Sequence, residues 1–186
     1  MSSPSLNRIS FTATIYGSSA LWQLNLLGSG SGAEKEYCLG LARDLGEKVR
    51  VYGALSQKDL AKVMRHSHLS VLPSFYEGLS LVILEALASG CRIVATDLPG
   101  TTELLGDYDT DFITLVKTPR LRFTDQPYRE DEHVFEKNLE KAIRQQMNAV
   151  SKGGQFDLSP IQDKLEAYTW AGIFRKVREA YLSCFI

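Results

Sequence analysis

Apolar residues along this chain fall into short β-rich runs separated by stretches with helical spacing. The runs Ile9–Tyr16, Leu21–Leu27, Val49–Gly53, Leu69–Pro73, Arg92–Thr96 and Phe112–Val116 read as strands, and most are closed by Gly, Pro or Asp. Between most of them lie helices. Ala33–Leu45 carries Tyr37, Leu41 and Leu45 at i, i+4 and i+8, the mark of a one-faced helix, and Gly46 follows as a stop. Ser56 with Asp59 three residues on makes the weaker, aspartate form of a capping box, opening a helix that holds Leu60, Val63 and Met64. Leu79–Ser89 is apolar almost all round, which predicts a helix buried against the sheet.

Strand, helix and strand alternating at these intervals predict parallel strands joined by right-handed crossovers, a doubly wound α/β sheet. From Pro119 the pattern changes. Pro119–Glu132 is polar and reads as a loop, Glu132–Val150 as a helix, and Gly153-Gly154 as its break. Ser159-Pro160 is expected to open another helix as N-cap and first-turn proline. The last helix, Trp170–Ser183, sets Ile173, Val177, Ala180 and Tyr181 on one side and reads as a packing helix. The expected organisation is a core over 8–118, with the polar loop and C-terminal helices of 119–186 packing on the same domain.

Composition narrows the classes. The 186 residues are 44% hydrophobic and 23% charged, which suits one globular domain and excludes disorder or coiled coil. Twenty-one Lys and Arg against 22 Asp and Glu leave a net charge of −1, so bulk electrostatics call for neither nucleic acid nor an anionic membrane. Any anion site must therefore be local. Cys38, Cys91 and Cys184 are odd in number and widely spaced, which suggests neither a disulfide framework nor a zinc knuckle and fits the reducing cytoplasm. Met1 to Asn7 has no signal-peptide pattern, and the longest apolar stretch, Leu79 to Thr96, is broken by Glu85 and Arg92, so no membrane span is expected.

In an open parallel sheet, ligands bind beyond the carboxyl ends of the strands. Four segments occupy such places: Gly28-Ser29-Gly30-Ser31-Gly32, Gly53, Ser74 to Ser80, and Asp97-Leu98-Pro99-Gly100. The third is the richest in chemistry. Glu77 and Gly78 lie just before a helix starting near Leu79, where the amides of Leu79, Ser80 and Leu81 would face an anion and the helix dipole would favour it. Glu85 sits within that otherwise apolar helix, where a carboxylate must be paired, hydrogen-bonded or wet. Pairing with an arginine and acceptance of two sugar hydroxyls are both open readings for it. For Glu77 a local contact with Ser74 and a functional role are equally open. Weaker patterns carry little. Gly28-x-Gly30-x-Gly32 fails the dinucleotide fingerprint, since Val49–Gly53 ends on no acidic residue. Asp109-Thr110-Asp111 reads as a polar turn, and His66-x-His68 lacks further zinc ligands.

The segment from Phe75 through Glu77-Gly78-Leu79-Ser80 to Glu85 and Gly90 resembles the double-glutamate motif of retaining GT-B glycosyltransferases of group 1. Supporting matches run in the family's order: Leu24 to Gly30, Val51-Tyr52-Gly53, Ser70 to Ser74, Ile93 to Asp97, and the Gly100 to Glu103 turn. They cover about residues 21–106, and the helix opened by Tyr168-Thr169-Trp170 looks like the family's terminal helix.

The resemblance implies a Rossmann-like nucleotide-sugar-binding core, the C-terminal half of a two-domain transferase that retains anomeric configuration. It implies Glu77 at the hydroxyls of the transferred sugar, as the catalytic carboxylate, and Glu85 on the ribose. The amides of Gly78, Leu79, Ser80 and Leu81 would take the distal phosphate. Gly28 and Gly30 would also belong to the site, and the base is expected near Tyr52 and Gly53. Preorganised amides would stabilise the leaving diphosphate without a metal or other cofactor. The donor is expected to be a UDP-sugar, with a GDP-sugar as the other choice. The acceptor is expected to be a glycan or lipid-linked molecule held by an N-terminal domain absent from this chain, at the cytoplasmic side of a membrane. One departure is plain. The family's first strand leads through Gly-Arg and Lys-Gly into a long helix, whereas here Ile9–Tyr16 passes through Gly17-Ser18-Ser19 almost directly into Leu21–Leu27, with no helix and no Lys or Arg between. The missing basic stretch puts catalysis in doubt, and because a cleft between two domains cannot close with one of them absent, little or no transferase activity is expected of the isolated chain. A noncatalytic nucleotide-binding or interaction module of the same fold is the alternative, and the related epimerases fit the glutamate spacing poorly.

Overall fold

The computed structural model describes residues 10–16, 21–28, 33–105, 110–153 and 156–184. Ile9, Gly17 to Ser19, Gly30, Gly32, Asp109 and Gly154 lie outside the described residues. The chain divides into two compact units, Met1–Phe156 and Asp157–Ile186.

The first unit is built on a six-stranded sheet of order β3-β2-β1-β4-β5-β6. Its strands are β1 (Ser10–Tyr16), β2 (Leu21–Leu27), β3 (Val49–Gly53), β4 (Leu69–Leu72), β5 (Arg92–Asp97) and β6 (Ile113–Lys117). Helices α1 (Ala33–Asp44), α2 (Gln57–Arg65), α3 (Leu81–Ala88) and α4 (Pro99–Leu105) follow β2, β3, β4 and β5 in turn. The long α5 (Arg129–Ser151) closes the unit. β2 runs parallel to β3, and β4, β5 and β6 run parallel to one another.

The exception is β1, which is antiparallel to both neighbours, with Ser10 opposite Leu27, Tyr16 opposite Leu21 and Phe11 opposite Val71. The reason is chain length. A parallel neighbour requires a crossover of roughly a dozen residues or more, and the sequence leaves only Gly17 to Ala20 between the two strands. The parallel, doubly wound expectation holds for the other five strands, whose carboxyl ends therefore share one edge.

Core formation follows the alternation of side chains along the strands. On one face Leu69, Val71, Val94 and Val116 are buried with Phe135 and Ala142 of α5, flanked by Leu139, Ile143 and Met147. On α3, Ile83, Leu84, Ala86 and Leu87 are buried. α2 starts as its capping box predicts: Ser56 Oγ accepts from the Asp59 amide at 3.2 Å. Arg92, which breaks the apolar run in sequence, is 3% exposed. Its guanidinium donates to Gln146 Oε1 at 2.5 Å and to the Asp111 carbonyl at 2.8 Å, so α5 is tied to the edge remote from the strands' carboxyl ends.

Several local expectations change. α1 buries Ala42 and leaves Tyr37, Leu41 and, just past its end, Leu45 exposed, so the periodic stripe is not the face that packs. Part of the 119–132 loop is a hairpin of β7 (Leu121–Phe123) and β8 (Gln126–Pro127). α5 starts three residues early, at Arg129, with Glu130, Asp131 and Glu132 in its first turn, where the helix dipole favours acids. Arg120 contacts Asp131 at 2.7 Å and holds its carboxyl below the usual range.

In the second unit, a 3-10 turn over Ser159–Ile161 leads into α6 (Gln162–Ala167) and α7 (Trp170–Ser183). Ser159 is not the cap there. Asp157 Oδ1 accepts from the Ser159 amide at 2.9 Å and from its hydroxyl at 2.6 Å. Thr169 caps α7 by accepting from the Gly172 amide at 3.1 Å.

Candidate functional site

The parallel strands deliver the predicted segments to one edge of the sheet. At the β2–β3 end, the Gly28 amide donates to the Gly53 carbonyl at 2.9 Å, so two of the predicted glycines are locked together. Both use backbone that side chains resist, with φ of 122° at Gly28 and 66° at Gly53. The pairing slips here: Leu26 lies opposite Val51 and Leu27 opposite Gly53, so Tyr52 is the extra residue of a bulge. Bulges re-aim side chains next to sites. Tyr52 is 37% exposed.

After β4 the chain forms the loop that carries the first glutamate. Phe75 anchors it on one side, its ring 5.0 Å from that of Phe135 in a T-shaped contact. Tyr76, Leu79 and Leu81 are exposed around its mouth, whereas Ser80 is buried and Glu77 is only 8% exposed. Ser80, at φ −83° and ψ 85°, is the centre of an inverse γ-turn in which the Leu81 amide donates to the Leu79 carbonyl at 3.1 Å. The Leu81 amide is thus engaged inside the turn. The amides of Gly78, Leu79 and Ser80 donate to no backbone carbonyl among the described residues. α3 begins at Leu81, so Ser74 is not its cap.

Glu85 resolves its own puzzle. Leu81, Glu85 and Ala88 recur at helical spacing on the exposed side of α3, so the carboxylate is wet, and it makes no ion pair among the described residues. Glu77 and Glu85 therefore differ in environment: the first is buried in the loop, the second open on the helix that the loop starts.

Sequence reasoning missed what supports this loop from behind. Gly100, near the start of α4, lies against it so closely that a Cβ there would stand 1.9 Å from the Gly78 carbonyl oxygen. Asp97, at the end of β5, fixes α4: its carboxylate accepts from Thr102 Oγ1 and its carbonyl from Thr118 Oγ1, each at 2.5 Å. The Pro99-Gly100 pair was the available signal, a first-turn proline followed by a residue with no side chain. No helix among the described residues is long and apolar enough to cross a membrane.

Comparison with known proteins agrees with this geometry. The family model for glycosyl transferases group 1 matches residues 14–120. Alpha-D-kanosaminyltransferase of Streptomyces kanamyceticus is 29% identical over 137 residues, 73% of this chain and 33% of its own length. The chain thus spans about a third of that curated relative. Sucrose-phosphate synthase from Thermosynechococcus elongatus superposes with a TM-score of 0.63 at 22% identity, covering 87% of this chain and 38% of that one. The pneumococcal O-GlcNAc transferase GtfA, solved with UDP and GlcNAc, does so at 0.57 and 14% identity, covering 84% of this chain and 28% of its own. Both likenesses speak for the fold alone. With the family model spanning more than half of the sequence and the loop, helix and strand ends arranged as described, this chain belongs to the group 1 glycosyltransferases.

Proposed function

We propose that this chain is the donor-binding half of an enzyme that moves a sugar from a nucleotide-diphosphate sugar to a glycan or lipid-linked acceptor, with retention of configuration. The carrying observation is the pairing of a buried Glu77 with an open Glu85 across the turn at Gly78 to Ser80. In this reading the amides of Gly78, Leu79 and Ser80, at the positive end of α3, receive the distal phosphate. Leaving-group charge grows on the diphosphate as the glycosidic bond breaks, and fixed amides stabilise it without rearranging. Leu81 contributes its amide only if the γ-turn opens. Glu85 accepts the ribose hydroxyls, Glu77 the hydroxyls of the transferred sugar, and the base lies beside Tyr52, Gly28 and Gly53. We take UDP over GDP as the donor nucleotide, the choice that a structural neighbour solved with UDP supports. No metal is required in this scheme, and the work is done in the cytoplasm, at a membrane face when the acceptor is lipid-linked.

The missing positive charge favours a second reading. Gly17 to Ala20 contains neither Lys nor Arg, and β1 turns back as a hairpin where the family places a basic segment and helix. On this ground the isolated chain is a weak catalyst or none, and a noncatalytic nucleotide-binding module is the alternative. Calorimetric titration with uridine and guanosine diphosphates, with and without magnesium, tests both. Saturable, metal-independent binding of uridine diphosphate supports the donor site. Absence of binding to either nucleotide rejects it.

A further inference from the structure

Helix α7 stands almost bare. Every residue of Trp170–Ser183 except Gly172 is exposed. Gly172 is buried because α6 lies on it: a Cβ there would stand 2.3 Å from the Glu166 carbonyl oxygen. That contact fixes the side of α7 that packs. Trp170, Phe174, Val177 and Tyr181 recur at i, i+4, i+7 and i+11, which at 3.6 residues per turn sets them on the opposite side. Trp170 and Phe174 are 77% and 66% exposed, with their rings 6.1 Å apart. A helix this short is marginal in water unless its apolar face is covered. A contiguous aromatic stripe left open to solvent marks an interaction surface.

Charge says what covers the stripe. By the same helical geometry Arg175 and Arg178 run along one flank of it and Lys176 along the other, while the single acid, Glu179, lies at the back. None of the three cations makes an ion pair among the described residues. A second copy packed stripe to stripe would set these cations beside their own kind, whether the helices ran parallel or antiparallel. The partner that suits an aromatic stripe between basic flanks is apolar at its centre and negative around it. We propose that α7 lies in the interface of an anionic lipid bilayer, with the rings of Trp170, Phe174 and Tyr181 among the headgroups and upper acyl chains and Arg175, Lys176 and Arg178 on lipid phosphates. The inference deepens the proposed function and rests on it for its use, since a lipid-linked acceptor is presented at such a surface.

Co-sedimentation of the full chain with vesicles, in the absence of nucleotide, reads this contact directly. The expected result is binding to phosphatidylcholine vesicles that contain phosphatidylglycerol, about 10- to 100-fold tighter than to phosphatidylcholine alone and weakened by salt. Phe174→Glu puts a carboxylate into the stripe and is expected to abolish binding while far-UV circular dichroism stays as in the parent. Should that variant lose its fold, Arg175→Glu with Arg178→Glu carries the test, since both side chains are exposed and the stripe is kept. That pair is expected to erase the preference for the anionic lipid. A wild-type chain that stays out of the anionic vesicles overturns the proposal. So does equal binding to both lipids, binding that a folded Phe174→Glu retains, or an anionic preference that survives the double charge reversal. Uridine diphosphate titration without vesicles reads the donor site separately, so failure of either contact is told apart from failure of the other.

Discussion

A Cβ atom on Gly100 would stand 1.9 Å from the carbonyl oxygen of Gly78, so the first turn of α4 meets the loop backbone where Gly100 has no room for a side chain, whereas a Cβ on Gly78 would meet open space. Gly100 belongs to the segment after β5 and Gly78 to the loop after β4. The contact sets how far that loop leans out at the strands' edge. Gly100→Ala therefore has to push the 77–80 backbone aside, at a cost of about 1–3 kcal/mol for overpacking. The expected outcome is a lower melting temperature together with weakened uridine diphosphate binding by calorimetry. A variant that melts and binds as the parent does would show that the loop yields freely.

The two glutamates should separate in binding experiments. Glu85 is open on α3, so its replacement leaves no buried group stranded. Glu85→Ala is expected to keep the melting temperature and to weaken uridine diphosphate by about 10- to 100-fold, the loss of two charge-assisted hydrogen bonds. Glu77→Gln should leave diphosphate affinity intact and weaken only the intact nucleotide sugar. Equal losses for both ligands would remove the proposed sugar contact.

Much of this was legible before the structure. Leu21–Leu27 and Val49–Gly53 carry their strand signals in full, and Ser56 with Asp59 announces α2, because those signals are local. The double-glutamate segment was legible for the same reason. What escaped depends on partners distant in sequence. Tyr37, Leu41 and Leu45 carry the period of a buried face, yet all three are exposed, and sequence periodicity does not show which face of a helix finds a partner. The direction of β1 was implicit in the shortness of Gly17 to Ala20, but the repeating strand–helix pattern of the rest outweighed it. The bulge at Tyr52 is a tertiary event with no local sequence signal, and the Gly100–Gly78 contact left only the Pro99-Gly100 pair as its trace.

Thiol chemistry gives a simple check on the core. Cys91 is fully buried, and burial pushes its thiol up to about 12, while its Sγ donates to the Met64 carbonyl at 3.2 Å. Thiolate, the reactive form, is then scarce at pH 8. Cys38 and Cys184 are exposed. Ellman titration of the native chain at pH 8 should count two thiols quickly, with the third appearing only in denaturant. Rapid reaction of all three would mean that the β4–β5 layer opens readily.

The Arg92 cluster makes the sharpest claim about stability, because its two partners are held differently. Gln146 is 1% exposed and accepts from Arg92 Nε at 2.5 Å while donating to Thr114 Oγ1 at 2.8 Å. Gln146→Leu keeps the volume and removes an acceptor from a buried cation, which costs about 2–4 kcal/mol. Asp111 reaches the same guanidinium through a side chain that is 72% exposed, while its backbone carbonyl accepts at 2.8 Å whatever the side chain is. Asp111→Ala should therefore cost less than about 1 kcal/mol, as expected of a solvent-screened pair. Urea unfolding of the two variants measures the difference. A ranking in the opposite order would mean that the carboxylate, rather than the amide of α5, carries the charge of Arg92.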